Sequence, residues 1–262
     1  MNKVKYFYHN TVGLDYVIGD IHGCYDEVIK LLDHAEFDKN VDRLFSVGDL
    51  IDRGPKSIDV IKLLSEPWFH AVRGNHDEMM IRTILDDSRS NQNDWLNNGG
   101  HWYLDIDNTE LNNLATLMRE KMPLVMVIGK YTDNRINIVH AEFTDNYDYQ
   151  PVTDTDIDDW YFHEYQENDM IWGRRLVKLM AIETVNAKDI KLVRNGLSDT
   201  YVGHTPIVGY EIRKFESHIF IDHGACYNYK HPTNDNHLTM IRLTDDYAFQ
   251  YSMKTGTIND KP

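Results

Sequence analysis

Tyr16-Val17-Ile18-Gly19-Asp20-Ile21-His22-Gly23 passes from three apolar residues through a glycine to an acid and a histidine, and the chain repeats this design twice. Leu44-Phe45-Ser46-Val47 leads into Gly48-Asp49-Leu50-Ile51-Asp52-Arg53-Gly54. Phe69-His70-Ala71-Val72 leads through Arg73 into Gly74-Asn75-His76-Asp77. Each apolar run reads as a buried strand and each block is followed by a helical stretch. The oxygen and imidazole groups are therefore expected at strand carboxyl ends, where open α/β sheets bind their ligands. Recurrence every 25 to 30 residues or so is about the length of a βαβ unit, which brings distant residues to one crevice. Two later runs repeat the pattern: Ile136-Asn137-Ile138-Val139 stops at His140, and Thr200-Tyr201-Val202-Gly203 stops at His204.

Asp20, His22, Asp49, Asn75, His140 and His204 offer oxygen and imidazole donors suited to divalent ions. A structural zinc site would favour a closed, cysteine-rich set, which this is not. Two ions about 3.5 to 4 Å apart need a bridging ligand, and the two carboxylate oxygens of Asp49 make it the candidate. Asp20 and His22 would complete one ion's shell, and Asn75, His140 and His204 the other's. Water held between such ions is acidified, so a metal-bridging hydroxide is the expected nucleophile and no serine or cysteine is required. His76 follows Asn75 but cannot easily share its ion, and is expected to donate a proton to the leaving oxygen with Asp52 orienting it. Arg53 and Arg174 offer planar donors to phosphoryl oxygens. Arg73 reads equally well as a structural ion-pairing arginine. His9, His34, His163, His218, His231 and His237 read as core or surface groups.

At 262 residues, with apolar runs continuing from Tyr16 to Met240 and no linker or repeat, a single domain over 1–262 is expected. Met1 to Asn10 lacks a signal-peptide pattern, and no apolar run is long enough to cross a bilayer. Cys24 and Cys226 are too few for a disulfide framework, which points to a reducing cytoplasm and two buried thiols, a Cys24/Cys226 redox switch being the other reading. The formal net charge of -15 argues against nucleic acid as a main partner, because binding a phosphate backbone needs basic surface. Much of the acidity lies near 144–169, where Asp145, Asp148, Asp154, Asp156, Asp158, Asp159, Glu164, Glu167 and Asp169 mix with Tyr147, Tyr149, Trp160, Tyr161, Phe162 and Tyr165. This acidic aromatic insert reads as a solvated loop or lid, or as a specificity element over the site.

The three blocks, together with Val139-His140-Ala141 and Gly203-His204-Thr205-Pro206, resemble the calcineurin-like metallophosphoesterases and, within them, the phosphoprotein phosphatases. Pro67-Trp68-Phe69-His70-Ala71-Val72-Arg73, Trp95-Leu96-Asn97-Asn98-Gly99-Gly100 and Ile171-Trp172-Gly173-Arg174 are similar to the small lambda-type serine/threonine phosphatases of bacteria and phages. The likeness spans nearly the whole chain. It implies an α/β fold of four αββα layers, two mixed β-sheets packed face to face with helices outside. It also implies Asp20, His22, Asp49, Asn75, His140 and His204 as metal ligands, His76 and Asp52 as the acid pair, and Arg53 and Arg174 as phosphate contacts, with Arg175 in place of Arg174 if the register slips by one. Two divalent ions are implied, manganese ahead of iron or zinc, with phosphoserine or phosphothreonine in phosphoproteins or phosphopeptides as substrate.

Two letters depart from that pattern. Asp77 stands where the protein phosphatases usually carry Glu, and looks more like the symmetrical diadenosine tetraphosphate hydrolases. Those enzymes usually lack the acid of the Asp52-Arg53-Gly54 triplet, which this chain keeps. In Ile221-Asp222-His223-Gly224-Ala225, relatives typically have Thr before the glycine, so His223 reads as a group at the cleft mouth or as a strand-end side chain. The expected activity is that of a serine/threonine protein phosphatase, with a dinucleoside polyphosphate hydrolase as the alternative and a catalytically silent binding protein as a rival from another class.

Overall fold

The three block-bearing runs become neighbouring parallel strands. The computed structural model describes residues 3–86, 89–143, 152–183, 196–229, 231 and 235–261. In it β2 (Asp15–Ile18), β3 (Arg43–Ser46) and β4 (Phe69–Ala71) pair in parallel, and β10 (His237–Arg242), β11 (Tyr247–Ser252) and β12 (Ile258–Lys261) extend the sheet antiparallel from β2. The second sheet has the order β1 (Val4–Phe7), β5 (Val125–Ile128), β6 (Ile136–Val139), β7 (Asp199–Val202), β9 (His218–Phe220) and β8 (Arg213–Phe215). It is mixed as well: β6 runs parallel to β7 but antiparallel to β5.

Alternation along the strands builds the layers, because successive side chains point to opposite faces. Val17 and Phe45 of the first sheet meet Met126, Ile138 and Tyr201 of the second in one apolar cluster between them. Tyr16, Ile18 and Leu44 point the other way, into a cluster with α1 (Tyr25–His34), α2 (Ser57–Lys62), α3 (Asn75–Leu85), α4 (Arg89–Asn97) and α5 (Asn108–Lys121). Each fully buried side chain of this kind contributes about 1.5–3 kcal/mol, so sheet-to-sheet packing is fixed by apolar burial. Helix α1 shows how the outer layer forms. Val28, Leu31 and Leu32 share its buried face, Asp26 and Glu27 sit in its first turn and His34 in its last, as the helix dipole favours.

Helices α6 (Asp154–Asp158), α7 (Glu164–Trp172) and α8 (Arg175–Glu183) cover the second sheet, completing four layers. The described part of the acidic stretch is thus largely helical rather than a solvated loop. Ile157, Met170 and Ile171 are buried against the sheet, with Trp160 and Phe162 packed on them. Thr153 and Asp156 exchange hydrogen bonds that cap α6. Asp145, Tyr147, Asp148 and Tyr149 lie outside the described residues. No described helix is long and apolar enough to cross a membrane.

Candidate metal centre

Strand ends from both sheets converge on Asp49. His22 Nε2 lies 3.5 Å from Asp49 Oδ2, and His140 Nε2 lies 3.5 Å from Asp49 Oδ1. His76 Nε2 is 4.0 Å from Asp49 Oδ2. Asn75 Oδ1 sits 3.1 Å from His140 Nε2 and 2.8 Å from His204 Nδ1. Asp49 therefore belongs to two clusters of possible ligand atoms, one with His22 and His76 and one with His140 and His204. Asp20 accepts the His204 backbone N–H, at 3.0 Å to its nearer oxygen, and its carboxyl lies against Asp222.

The chemistry of these donors fits metal ions. His22 Nδ1 donates to the Ile51 carbonyl at 2.7 Å and His140 Nδ1 to the Val47 carbonyl at 2.8 Å. That fixes the tautomers and leaves both Nε2 lone pairs turned toward the Asp49 carboxylate, the arrangement in which a backbone carbonyl orients a metal-binding imidazole. Lone pairs facing a carboxylate repel one another, and a cation between them removes the conflict. Burial pushes His22 and His140 below the usual histidine range and His204 down to about 3, so all three are neutral imidazoles at physiological pH. Burial works the other way on Asp20, raising it with help from Asp222 and Asp49. Asp49 goes the other way: at the low pH where it would titrate the surrounding histidines are protonated, and their charge outweighs burial and holds the carboxyl low.

Beside this cluster, His76 Nδ1 donates to Asp52 Oδ2 at 2.6 Å, with both side chains buried. Its other nitrogen faces the Asp49 side of the cleft. Arg53 Nη1 donates to His22 Nε2 at 2.8 Å, in the direction a metal ion would need, while its guanidinium lies over the Tyr227 ring at 5.2 Å. Arg174 is exposed and its Nε donates to Thr205 Oγ1, next to His204, at 3.3 Å.

Residues 16–208 match the family model of the calcineurin-like phosphoesterases. The chain belongs to that family. Among relatives of this calcineurin-like phosphoesterase, serine/threonine-protein phosphatase 2 of Escherichia coli K12 is 31% identical over 212 residues, 80% of this chain and 87% of that one. A symmetrical bis(5'-nucleosyl)-tetraphosphatase of Vibrio vulnificus YJ016 is 45% identical over 73 residues, 27% of each chain. A solved structure provisionally assigned as a diadenosine tetraphosphatase matches with a TM-score of 0.61 at 20% identity, covering 100% of this chain and 98% of that one. That last likeness is one of fold, and the fold is the two-sheet α/β architecture described above.

The phosphoesterase site is held by strained backbone. His22, Asp49, Asp52, Arg53 and His204 all have left-handed φ, between 44° and 74°, although none is glycine. Such conformations cost of order 1–3 kcal/mol each and persist where surrounding structure over-determines them. Two glycines allow the close approach: a Cβ at Gly74 would lie 2.1 Å from Asp49 Oδ1, and one at Gly203 would lie 1.9 Å from Asp20 Oδ1.

Contacts in this phosphoesterase bear on several readings that the sequence leaves open. Asp77 is fully buried and takes the backbone N–H of Gly74 at 2.9 Å and of Leu50 at 3.0 Å, tying the third block to the second. Arg73 is a structural arginine, bonded to Glu78 at 2.9 Å and to the Met122 carbonyl at 3.1 Å. His223 is a strand-end side chain, with Nδ1 at Thr239 Oγ1 and Nε2 toward the Glu211 carbonyl. Between the two adjacent arginines, Arg174 reaches Thr205 while the Arg175 N–H serves the start of α8 by donating to Glu142. Cys24 and Cys226 are free and buried, and burial pushes their thiols up, Cys226 to about 12, which disfavours the reactive thiolate.

Three groups at the phosphoesterase site escaped the sequence reading. Asp222, raised by burial to about 6, lies against Asp20, and its position as an acid ending a strand-like run before glycine is the signal that could have found it. Trp95 and Trp102 both donate indole N–H groups to Asp52. A cavity of about 1050 Å³ has Trp172 in its wall, and the Trp172 ring lies 6.3 Å from that of His204. Its lysine and arginine side chains are already paired, Lys3 with Glu167 and both Arg73 and Arg82 with Glu78.

Proposed function

We propose that this phosphoesterase hydrolyses phosphoserine and phosphothreonine in proteins, using a pair of manganese ions. The buried His76–Asp52 pair at the edge of the ligand cluster carries the reading. A serine or threonine alkoxide is a poor leaving group and needs a proton as its bond to phosphorus breaks. A nucleotide released from a dinucleoside polyphosphate leaves as a stable anion and needs little such help. The phosphatase relative covering most of this chain supports the same choice.

When bound, two divalent ions supply Lewis acidity to the phosphoryl group and lower the pKa of a water molecule. Asp20, His22 and Asp49 would hold one ion, and Asp49, Asn75, His140 and His204 the other. The mixed oxygen and imidazole set suits manganese as well as iron or zinc. Arg53, swung from His22, and Arg174 would bind the non-bridging oxygens and stabilise charge gathering there in the transition state. His76, protonated on Nε2, would pass that proton to the leaving oxygen, while Asp52 fixes the ring and stabilises the imidazolium. Both thiols being free fits a reducing compartment such as the cytoplasm.

The second reading, a symmetrical dinucleoside polyphosphate hydrolase, is favoured by the Vibrio vulnificus relative over its short match. Two observations count against it. Asp77, the letter that suggested it, is occupied with backbone amides, and among the described residues the lysine and arginines lining the Trp172 cavity are each paired with a glutamate rather than left for additional phosphates. Turnover of a phosphoserine peptide and of diadenosine tetraphosphate, measured side by side with manganese, tests the choice. The peptide is expected to be preferred, and a strong preference for the nucleotide would overturn it.

A further inference from the structure

Asp52 is completely buried and its carboxylate is enclosed by N–H donors. Oδ2 accepts from His76 Nδ1 at 2.6 Å, and Oδ1 accepts from Trp102 Nε1 at 2.7 Å. Trp95 Nε1 reaches both oxygens at 3.0 Å. An indole N–H can only donate, and a buried one left without an acceptor is costly, so both tryptophans are committed to this carboxylate. They are themselves locked. Trp95 stacks on Tyr103 with ring centroids 4.5 Å apart and an interplanar angle of 8°, and Trp102 meets Trp95 edge-on at 5.9 Å. Gln92 holds the Tyr103 hydroxyl at 2.7 Å, and Gly100 lies so close to the Trp95 ring that a Cβ there would be 2.6 Å from its Nε1.

We propose that Trp95 and Trp102 are positioning residues for proton donation, a neutral clamp that fixes the direction in which His76 presents its second nitrogen. The proposal rests on His76 acting as the general acid. Neutral donors suit this task because they satisfy the buried carboxylate without placing a second cation against it. Among the described residues His76 is then the one imidazole bonded to Asp52, the other two donors being indoles. With the carboxylate held from the indole side, the imidazole cannot swing without breaking a short charge-assisted bond. In the step it serves, a water-derived oxygen bonds to phosphorus as the bond from phosphorus to the leaving oxygen breaks, the electron pair of the broken bond stays on the leaving oxygen, and the His76 proton neutralises it.

The test compares Trp102→Phe, Trp95→Phe and His76→Asn in metal-loaded protein on two substrates, a phosphoserine peptide and 2,4-dinitrophenyl phosphate. The first leaving group needs a proton and the second does not. Loss of a general acid removes about 10²- to 10⁴-fold from the first reaction, so His76→Asn should show that deficit and a much smaller one with the aryl ester. Trp102→Phe keeps an aromatic ring, loses only the N–H, and should lose about tenfold or more in kcat on the peptide with little change on the aryl ester, in KM or in bound metal. Equal losses on both substrates in Trp102→Phe, or none on either, would overturn the clamp. If His76→Asn is leaving-group dependent and Trp102→Phe is not, the clamp fails while the acid assignment stands; a flat response in His76→Asn removes both. Trp95 is fully buried, and should Trp95→Phe fail to fold, the half-buried Trp102 decides alone.

Discussion

One methyl group is enough to test how closely the centre is fitted. In Gly74→Ala the new carbon would meet Asp49 Oδ1 at 2.1 Å and Asp49 N at 2.4 Å, so the shared carboxylate must move. Bound metal measured by elemental analysis should fall, and kcat with it by about 10²-fold, the usual penalty for displacing reacting groups by an ångström or so. Full metal content with wild-type kcat would show that the approach is looser than drawn. Asp77→Asn leaves one good acceptor where two are used. It should cost about 1–3 kcal/mol in urea unfolding without changing the ratio of phosphopeptide to dinucleotide turnover. A reversed ratio would return Asp77 to the specificity residues. The candidate ligands were legible because each follows an apolar run and most sit beside a glycine. The left-handed backbone at His22, Asp49, Asp52, Arg53 and His204 was not, since local preference opposes it and only tertiary packing imposes it. Nor were the indole donors, which reach Asp52 from 43 and 50 residues away.

Helix α8 owes its start to Glu142, whose two oxygens take the Arg175 N–H at 2.8 Å and the Leu176 N–H at 2.7 Å. Because Arg174 immediately precedes that helix, the cap also settles where its guanidinium can reach. Glu142→Ala leaves first-turn amides unsatisfied and should loosen Arg174. KM for a phosphoserine peptide should rise several-fold more than kcat falls, an outcome steady-state kinetics can separate. An unchanged KM would detach Arg174 from phosphate binding. The strands carrying the blocks were readable within a residue or two, as were His140 after β6 and His204 beyond β7, because alternation and run length mark them. The antiparallel insertion of β10 beside β2 was not, since these strands lie more than 200 residues apart and nothing local links them. The acidic stretch misled because its charges suggested solvent, while Ile157, Met170 and Ile171 hold its buried face.

Buried neutral histidines set the acid tolerance of the molecule as a whole. His70 and His204 are pushed down to about 3 by burial, and His22, His140, His223 and His237 are lowered for the same leading reason. Above about pH 6.5 both folded and unfolded chains are neutral there and these groups contribute nothing. As pH falls from about 6.5 toward 3, the unfolded chain takes up protons that the folded one refuses, and stability is lost at up to about 1.4 kcal/mol per pH unit for each histidine. Asp20, Asp77 and Asp222, raised chiefly by burial, act in the opposite sense, but the six histidines outnumber the three acids. Urea midpoints of chelator-treated protein should therefore drop between pH 7 and 4.5, and a flat profile would contradict the burial of these rings. The division of the ligand set between the two sheets also has a bearing on biosynthesis. Asp20, His22, Asp49 and Asn75 are all translated within the first 75 residues, whereas His140 and His204 follow much later. On the proposed ligand set, a growing polypeptide displays four of the six ligands before the closing imidazoles exist, and stable metallation would wait on β7 to leave the ribosome.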